Sequence, residues 1–159
     1  MRIARIDQTL EQCENHLSST SAFGTEIENL LTGSLLVIIC AEFERKIESI
    51  IQEKCATIND LFLRQFIDSC VGAVFRSVKS SEIAGLLNRF SPDYKESFNQ
   101  HSRGNQRAVT FYDNIVVNRH GIAHSEGINV TFKEVKQFYE EGHIVLDFFR
   151  NVLLALPQP

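Results

Sequence analysis

The chain never places two cysteines in a CxxC pair. Its 4 cysteines, Cys13, Cys40, Cys55 and Cys70, stand far apart. Cys13 and Cys40 fall on apolar helical stripes, so the expectation is reduced, buried thiols rather than a disulfide framework or a zinc site. A general excess of basic charge is also missing. The formal net charge of −4 argues against a general nucleic-acid binder, although a small basic site within an acidic surface is compatible with it. No apolar run is long: the longest, Ser34 to Ala41, falls well short of the roughly 20 residues that span a bilayer. Met1 to Glu14 alternates apolar and charged residues, unlike a secretory leader, so a cytoplasmic protein without membrane association is expected. Outside secretion, the sequon Asn129-Val130-Thr131 carries no meaning. Alternating strand patterns, hairpin turns, internal repeats and low-complexity segments are absent. Tryptophan is absent too, but 43% apolar residues with 12 phenylalanines fit a compact soluble protein and exclude disorder.

What the chain does have, from end to end, is helical periodicity. Its length fits a single domain over residues 1–159 with a substantial core. Ile3, Ile6, Leu10, Cys13 and Leu17 recur at three- and four-residue intervals and predict a first amphipathic helix. Thr25-Glu26-Ile27-Glu28 has the form of a capping box and starts a helix running to about Lys54. Leu36, Ile39, Cys40, Phe43, Ile47, Ile50 and Ile51 share one stripe of it, and Gly33 either kinks it or marks its true start. Asn59 to Ser77 predicts a third helix and Ser81 to Phe90 a shorter one. Ser91-Pro92 opens another by cap and first-turn proline. His101 to Gln106 reads as a polar connector, followed by a helix from about Arg107. Ser125 to Asn129 reads as a turn. Thr131-Phe132-Lys133-Glu134 is a second capping box for a last helix bearing Val135, Phe138, Gly142, Val145, Phe149 and Val152 and ended by Pro157. The fold class is therefore all-α, a helical bundle of about five main helices plus short ones.

Arg119-His120-Gly121-Ile122-Ala123-His124 closes the helix that starts near Arg107. At about 100° per residue, Ala108, Phe111, Tyr112, Ile115, Val116 and Ile122 form one apolar stripe, and Arg119 lies near its middle. A guanidinium on a buried face must find a carboxylate, a phosphate or another chain, because an unpaired buried charge is costly. The alternative is an arginine whose stem packs on the core while its head snorkels outward. His124 lies about 140° from Arg119 on a continuous helix, so the two converge only if the helix ends between Gly121 and His124. Its alternative reading is a capping histidine bonded to the last carbonyls. His120 and His124 also have the spacing of a helical metal pair, but the Glu of HExxH and a third ligand are missing, so no metal is expected.

An arginine, four residues and a histidine at the end of a late helix resemble the signature of the HEPN superfamily. Leu35-Leu36-Val37-Ile38-Ile39-Cys40-Ala41-Glu42-Phe43-Glu44 resembles the apolar helix with an acidic end found in the RiboL-PSP-HEPN branch. Arg119 to His124, followed by Thr131 to Phe149, resembles that branch's closing segment. The resemblance covers nearly the whole chain. One departure is His120, which stands where the family often has asparagine.

The resemblance implies an HEPN-like bundle acting as a metal-independent endoribonuclease. Such proteins are often toxins or defence effectors and work as homodimers with two motifs facing one cleft. RNA would be the substrate and supplies its own 2′-OH nucleophile. His124 would be general base or acid, Arg119 would hold the scissile phosphate, and His120 would bond a phosphate or leaving group or carry a second proton. Glu44, with Glu42 as the neighbouring alternative, would orient or neutralise the motif. From His101 to His124 the chain has three arginines against a single aspartate, which makes Arg103 and Arg107 candidate RNA-backbone contacts. No cofactor is implied. An antitoxin or defence-system partner fits this class, and the competing expectation is a non-catalytic HEPN-like dimerisation or partner-binding module.

Overall fold

Apolar residues at three- and four-residue spacing wind the chain into helices that bury one stripe each, and a single long helix organises the others. The computed structural model describes residues 1–74, 78–123 and 129–155, with side chains except at 68, 70–74 and 123. Among these there are eight helices and no strand: α1 (Ala4–Ser19), α2 (Glu26–Cys55), α3 (Leu61–Val74), α4 (Ser80–Phe90), α5 (Pro92–Gly104), α6 (Gln106–Ala123), α7 (Phe132–Gly142) and α8 (Ile144–Leu154). The all-α class is as expected. No helix among the described residues is long and apolar enough to cross a membrane.

The organising element is α2. Its 30 residues span about 45 Å, and it contacts α1, α3, α6, α7 and α8. Leu36, Ile39, Cys40, Phe43, Ile47, Ile50 and Ile51 are all buried along it, as their spacing predicts. Gly33 neither starts nor breaks the helix. Opposite it, α6 runs antiparallel: the Cys40 thiol donates to the Ile115 carbonyl at 3.9 Å, and Phe43 stacks on Tyr112 with centroids 5.2 Å apart. The Tyr112 hydroxyl donates to the Val78 carbonyl at 3.0 Å, which satisfies its polar end inside the core.

Caps explain where the helices begin. Ser91 Oγ accepts from the Asp93 amide ahead of Pro92, and Thr131 and Glu134 bond each other's amides as the second box requires. The Thr131 amide and hydroxyl, both donating to it, hold the Glu134 carboxyl below its ordinary value. At the first box, the boundary is as expected but the bonding is not. Thr25 turns its hydroxyl back to the Ala22 carbonyl at 2.6 Å. Glu28 accepts instead from the Gly24 amide at 2.5 Å and from the Phe132 amide, the first residue of α7, at 3.0 Å. A carboxylate only 7% exposed thus ties the loop before α2 to the start of α7, satisfying the orphan first amide of α7.

Two sequence expectations are corrected. His101 to Gly104 is not a connector but the last turn of α5, leaving Asn105 alone before α6. The last helix divides at His143 into α7 and α8. His143 stays near helical geometry (φ −58°, ψ −21°) and its amide still donates to Tyr139, so the apolar spacing carries across the break and hid it. Gly142 beside it packs against the α6 backbone: a Cβ there would lie 2.7 Å from the Tyr112 nitrogen.

Three consequences are measurable. Gly142→Ala forces α6 and α7 apart and lowers stability by about 1–3 kcal/mol, read as a lower denaturation midpoint; an unchanged midpoint would contradict this packing. Glu28→Ala strands two amides and costs about 1–3 kcal/mol, whereas Glu28→Gln, which keeps an acceptor, costs less. The His143 imidazole is held below its ordinary value of 6.5, chiefly by burial and against its bond to the Tyr139 carbonyl. The unfolded chain therefore takes up this proton at higher pH than the folded one. Stability from this group is present above about pH 6.5 and is lost as the pH falls through the folded value. Thermal denaturation between about pH 7.5 and 5.5 should show that decline, and His143→Gln should flatten it.

Candidate functional site

At one end of the bundle, the N-terminal half of α2, the C-terminal turns of α6 and the start of α7 come together. Antiparallel packing brings them there: Cys40 meets Ile115, Phe111 meets Phe138 at 5.2 Å, and Glu28 meets Phe132. Arg119 to Ala123, the first five residues of the expected hexapeptide, occupy this end. Thr32, one turn along α2 from Glu28, is also here, its hydroxyl oxygen buried without a hydrogen bond among the described residues.

Arg119 sits in the last turns of α6, half-buried, on the face that carries Ile115 and Val116. Its field reaches the buried Cys40 thiol. Burial pushes that thiol up to about 12, the Arg119 cation opposes the rise, and Glu44 adds to it. Arg119 and Glu44 therefore flank Cys40 from facing helices. Glu44 also acts on the Tyr112 hydroxyl, which burial raises well above its ordinary value. Glu42 is placed elsewhere, bound to Arg5 of α1 at 2.8 Å and to Arg45 at 2.6 Å. Of the two neighbouring carboxylates, Glu44 is the one on the α6 side.

The condition of Arg119 is unusual within this chain. Arg2 pairs with Asp7, Arg5 and Arg45 with Glu42, Arg103 with Glu96, Arg107 with Glu141 and Arg150 with Glu53. Arg64 donates to the Ile58 carbonyl. Arg119 makes no hydrogen bond or ion pair to any described residue. Arg89 shares that state, but it is exposed on α4, where water solvates it. A half-buried guanidinium left unpaired is the costlier arrangement. His120, the next residue, is half-buried as well. Helical geometry continues through Gly121 to Ala123, one residue short of His124. His124 itself and all but Asn129 of the expected turn from Ser125 to Asn129 lie outside the described residues.

Arg103 and Arg107 are not brought to this end. Arg107 lies twelve residues before Arg119, about 18 Å along the helix. Its guanidinium is engaged by Glu141 at 2.6 Å and lies over the Phe111 ring at 5.2 Å, and that pairing holds the Glu141 carboxyl below its ordinary value. Arg103 is held by Glu96 at 3.2 Å. Carboxylates distant in sequence thus take up both cations, and the groove expected from the local charge balance is not built. An open groove of about 660 Å³ between α5 and α8, lined by Lys54, Tyr94 and His101 among others, is likewise remote, since Lys54 is about 21 Å along α2 from Cys40. No three His, Cys, Asp or Glu side chains among the described residues are placed to hold a metal ion.

Sequence reasoning took Cys40 for ordinary core and Glu28 for a local cap. The signal for Cys40 was its position one helical turn before Glu44. For Glu28 there was none, because its second partner is more than a hundred residues away.

No curated protein and no solved structure matches the chain. The family model for RiboL-PSP-HEPN matches residues 1–155, which takes in every helix and the whole hexapeptide. Families of this kind are associated with ribonuclease or nucleotide-related functions. With an all-α fold and a match over nearly its full length, this chain belongs to the RiboL-PSP-HEPN family.

Proposed function

We propose that the chain is a metal-independent endoribonuclease, a toxin or defence effector of the abortive-infection type. It cleaves RNA with Arg119 and His124 in a cleft shared by two copies. The observation that carries this reading is Arg119 itself: half-buried at the family's motif position and without a partner among the described residues. A cation kept in that condition is suited to an anion that arrives with the substrate, and a phosphodiester is the anion the family's ribonuclease association supplies. A carboxylate beside it on the same chain would already have filled that role, as it does for six other arginines here.

The chemistry needs no metal, because RNA carries its nucleophile. Arg119 binds the non-bridging oxygens of the scissile phosphate and stabilises the charge that grows on them. His124 takes the proton from the 2′-OH or returns one to the leaving 5′-oxygen. His120 stands ready to bond a phosphate oxygen or carry the second proton. Glu44 acts from α2 as a positioning group. The products are a 2′,3′-cyclic phosphate and a 5′-hydroxyl. In this reading a second copy completes the cleft, and an antitoxin or defence-system partner restrains it in the cytoplasm.

A second reading has its own observation. Leu61, Phe62, Leu63 and Phe66 on α3 are exposed by 56, 81, 46 and 65%, which suits a non-catalytic partner-binding module. The two readings separate in one assay. Labelled RNA is incubated with wild type, Arg119→Ala and His124→Ala in excess EDTA. Cleavage by wild type is expected to survive chelation, to end in cyclic phosphate, and to fall by about 10²-fold or more in each variant. RNA left intact by folded wild type would sink the nuclease reading in favour of the module, and loss of cleavage in EDTA would overturn the metal-free mechanism.

A further inference from the structure

Most of α2 is consumed by the core, yet the helix is apolar on a second face as well. From Leu30 to Ala41 it contains no charged residue. Ile27, Leu30 and Val37 nevertheless remain 47, 64 and 45% exposed, with Ser34 exposed between them and Ala41 half-exposed beyond. These five positions recur at intervals of three, four, three and four, the seam spacing of a helix that packs against another helix. Leu31 and Ile38, half-buried, border the seam on one side. Nothing among the described residues covers it, and soluble chains seldom leave a continuous apolar surface of this extent open.

We infer that this seam is the contact with a second copy of the chain, α2 against α2 in antiparallel register, about a two-fold axis level with the Leu35–Leu36 peptide. The seam is self-complementary about that point, as an isologous contact requires. Leu30 faces the partner's Ala41, large against small. Ser34 faces the partner's Val37. Ile27 falls at the end of the seam, opposite the partner's Glu44, where the interface meets solvent. No like charges are opposed in between, because that stretch has none. Moving the axis toward the C-terminal half of α2, so that the pairing shifts by one heptad, would set Glu48 against the partner's Leu30. A lipid surface fits less well, since the charges at the ends of the seam are mixed, Glu26 and Glu44 as well as Arg45, where a helix held to headgroups carries mainly lysine and arginine.

The inference deepens the shared-cleft reading and rests on it only for its functional meaning. Cys40, beneath Arg119, lies about 7 Å along α2 from the proposed axis. The same contact therefore draws both Arg119 side chains toward one dyad.

Sedimentation velocity and light scattering on the full chain test the contact, with mass as the readout. Wild type is expected to be a dimer. Leu30→Glu and Val37→Glu are each expected to raise the dimer dissociation constant at least tenfold. Because both positions are exposed, both variants should keep the helical circular dichroism and denaturation midpoint of wild type. Phe62→Glu on α3 is expected to leave the dimer intact. Under mild oxidation, Ser34→Cys protein mixed with Val37→Cys protein should give more cross-linked dimer than either alone. A monomeric wild type, a dimer indifferent to both seam variants, or one broken by Phe62→Glu instead would overturn the inference. A dimer that dissociates as expected while wild type leaves RNA intact would overturn only the nuclease reading.

Discussion

Five other helices lean on α2, and the placement of α2 is the constraint on which the rest of the structure depends. Its buried stripe from Leu35 to Cys55 is longer than any one neighbour can cover, so α6, α7 and α8 each take part of it. Antiparallel packing against α6 then fixes which residues of the two helices meet. Stacking of Phe43 on Tyr112 and the bond from Cys40 to Ile115 set the register between them. Once that register exists, Arg119 has to arrive over Cys40, and the chain beyond it has to return beside the first turns of α2. Glu28 completes the return by capping α7. The position of Arg119 is thus a consequence of core packing some 20 Å long, not of local turn chemistry.

Within that frame the electrostatics divide into two kinds. Arg107 and Glu141, Arg103 and Glu96, and Arg150 and Glu53 are exposed pairs, each worth little in high dielectric. They leave the surface charge largely cancelled, and an acidic chain does not draw RNA from a distance. The site end is different. Arg119 is half-buried, Cys40 is held protonated below it, and no carboxylate among the described residues forms an ion pair with the guanidinium. Anion recognition of the kind proposed would therefore be short-range, resting on a few desolvated contacts and not on a broad basic field.

Much of this architecture was legible in the sequence, for a physical reason. Helical stripes are local, so α1, α2 and α6 could be placed from spacing alone, and Ser91-Pro92 and Thr131 to Glu134 marked starts that the structure keeps. Arg119 was legible because a cation amid Tyr112, Ile115, Val116 and Ile122 breaks its own stripe. What could not be read was whatever depends on a distant partner. The Thr25 box looked local, but Glu28 spends one bond on Phe132. Arg107 looked free because Glu141 is 34 residues on. The break at His143 left no trace because the residue stays nearly helical and both pieces bury the same face. Gly142 gave a hint, since a glycine inside a strong helical pattern usually answers to a close approach, here the Tyr112 backbone.

The two proposals constrain each other energetically. A contact through the α2 seam gathers two half-buried, unpaired guanidiniums near one axis, and in the absence of an anion their mutual repulsion opposes the apolar gain of closing the seam. A phosphodiester between them removes that opposition. Anion binding and dimerisation are then linked: whatever occupies the cleft tightens the pairing, and pairing in turn raises affinity for the anion by the same factor. In such a chain the charge-free stretch from Leu30 to Ala41 has a second use besides burial. With no ion pairs of its own, it makes a contact that salt does not weaken, so added salt would screen the repulsion between the two Arg119 side chains and leave the seam itself untouched.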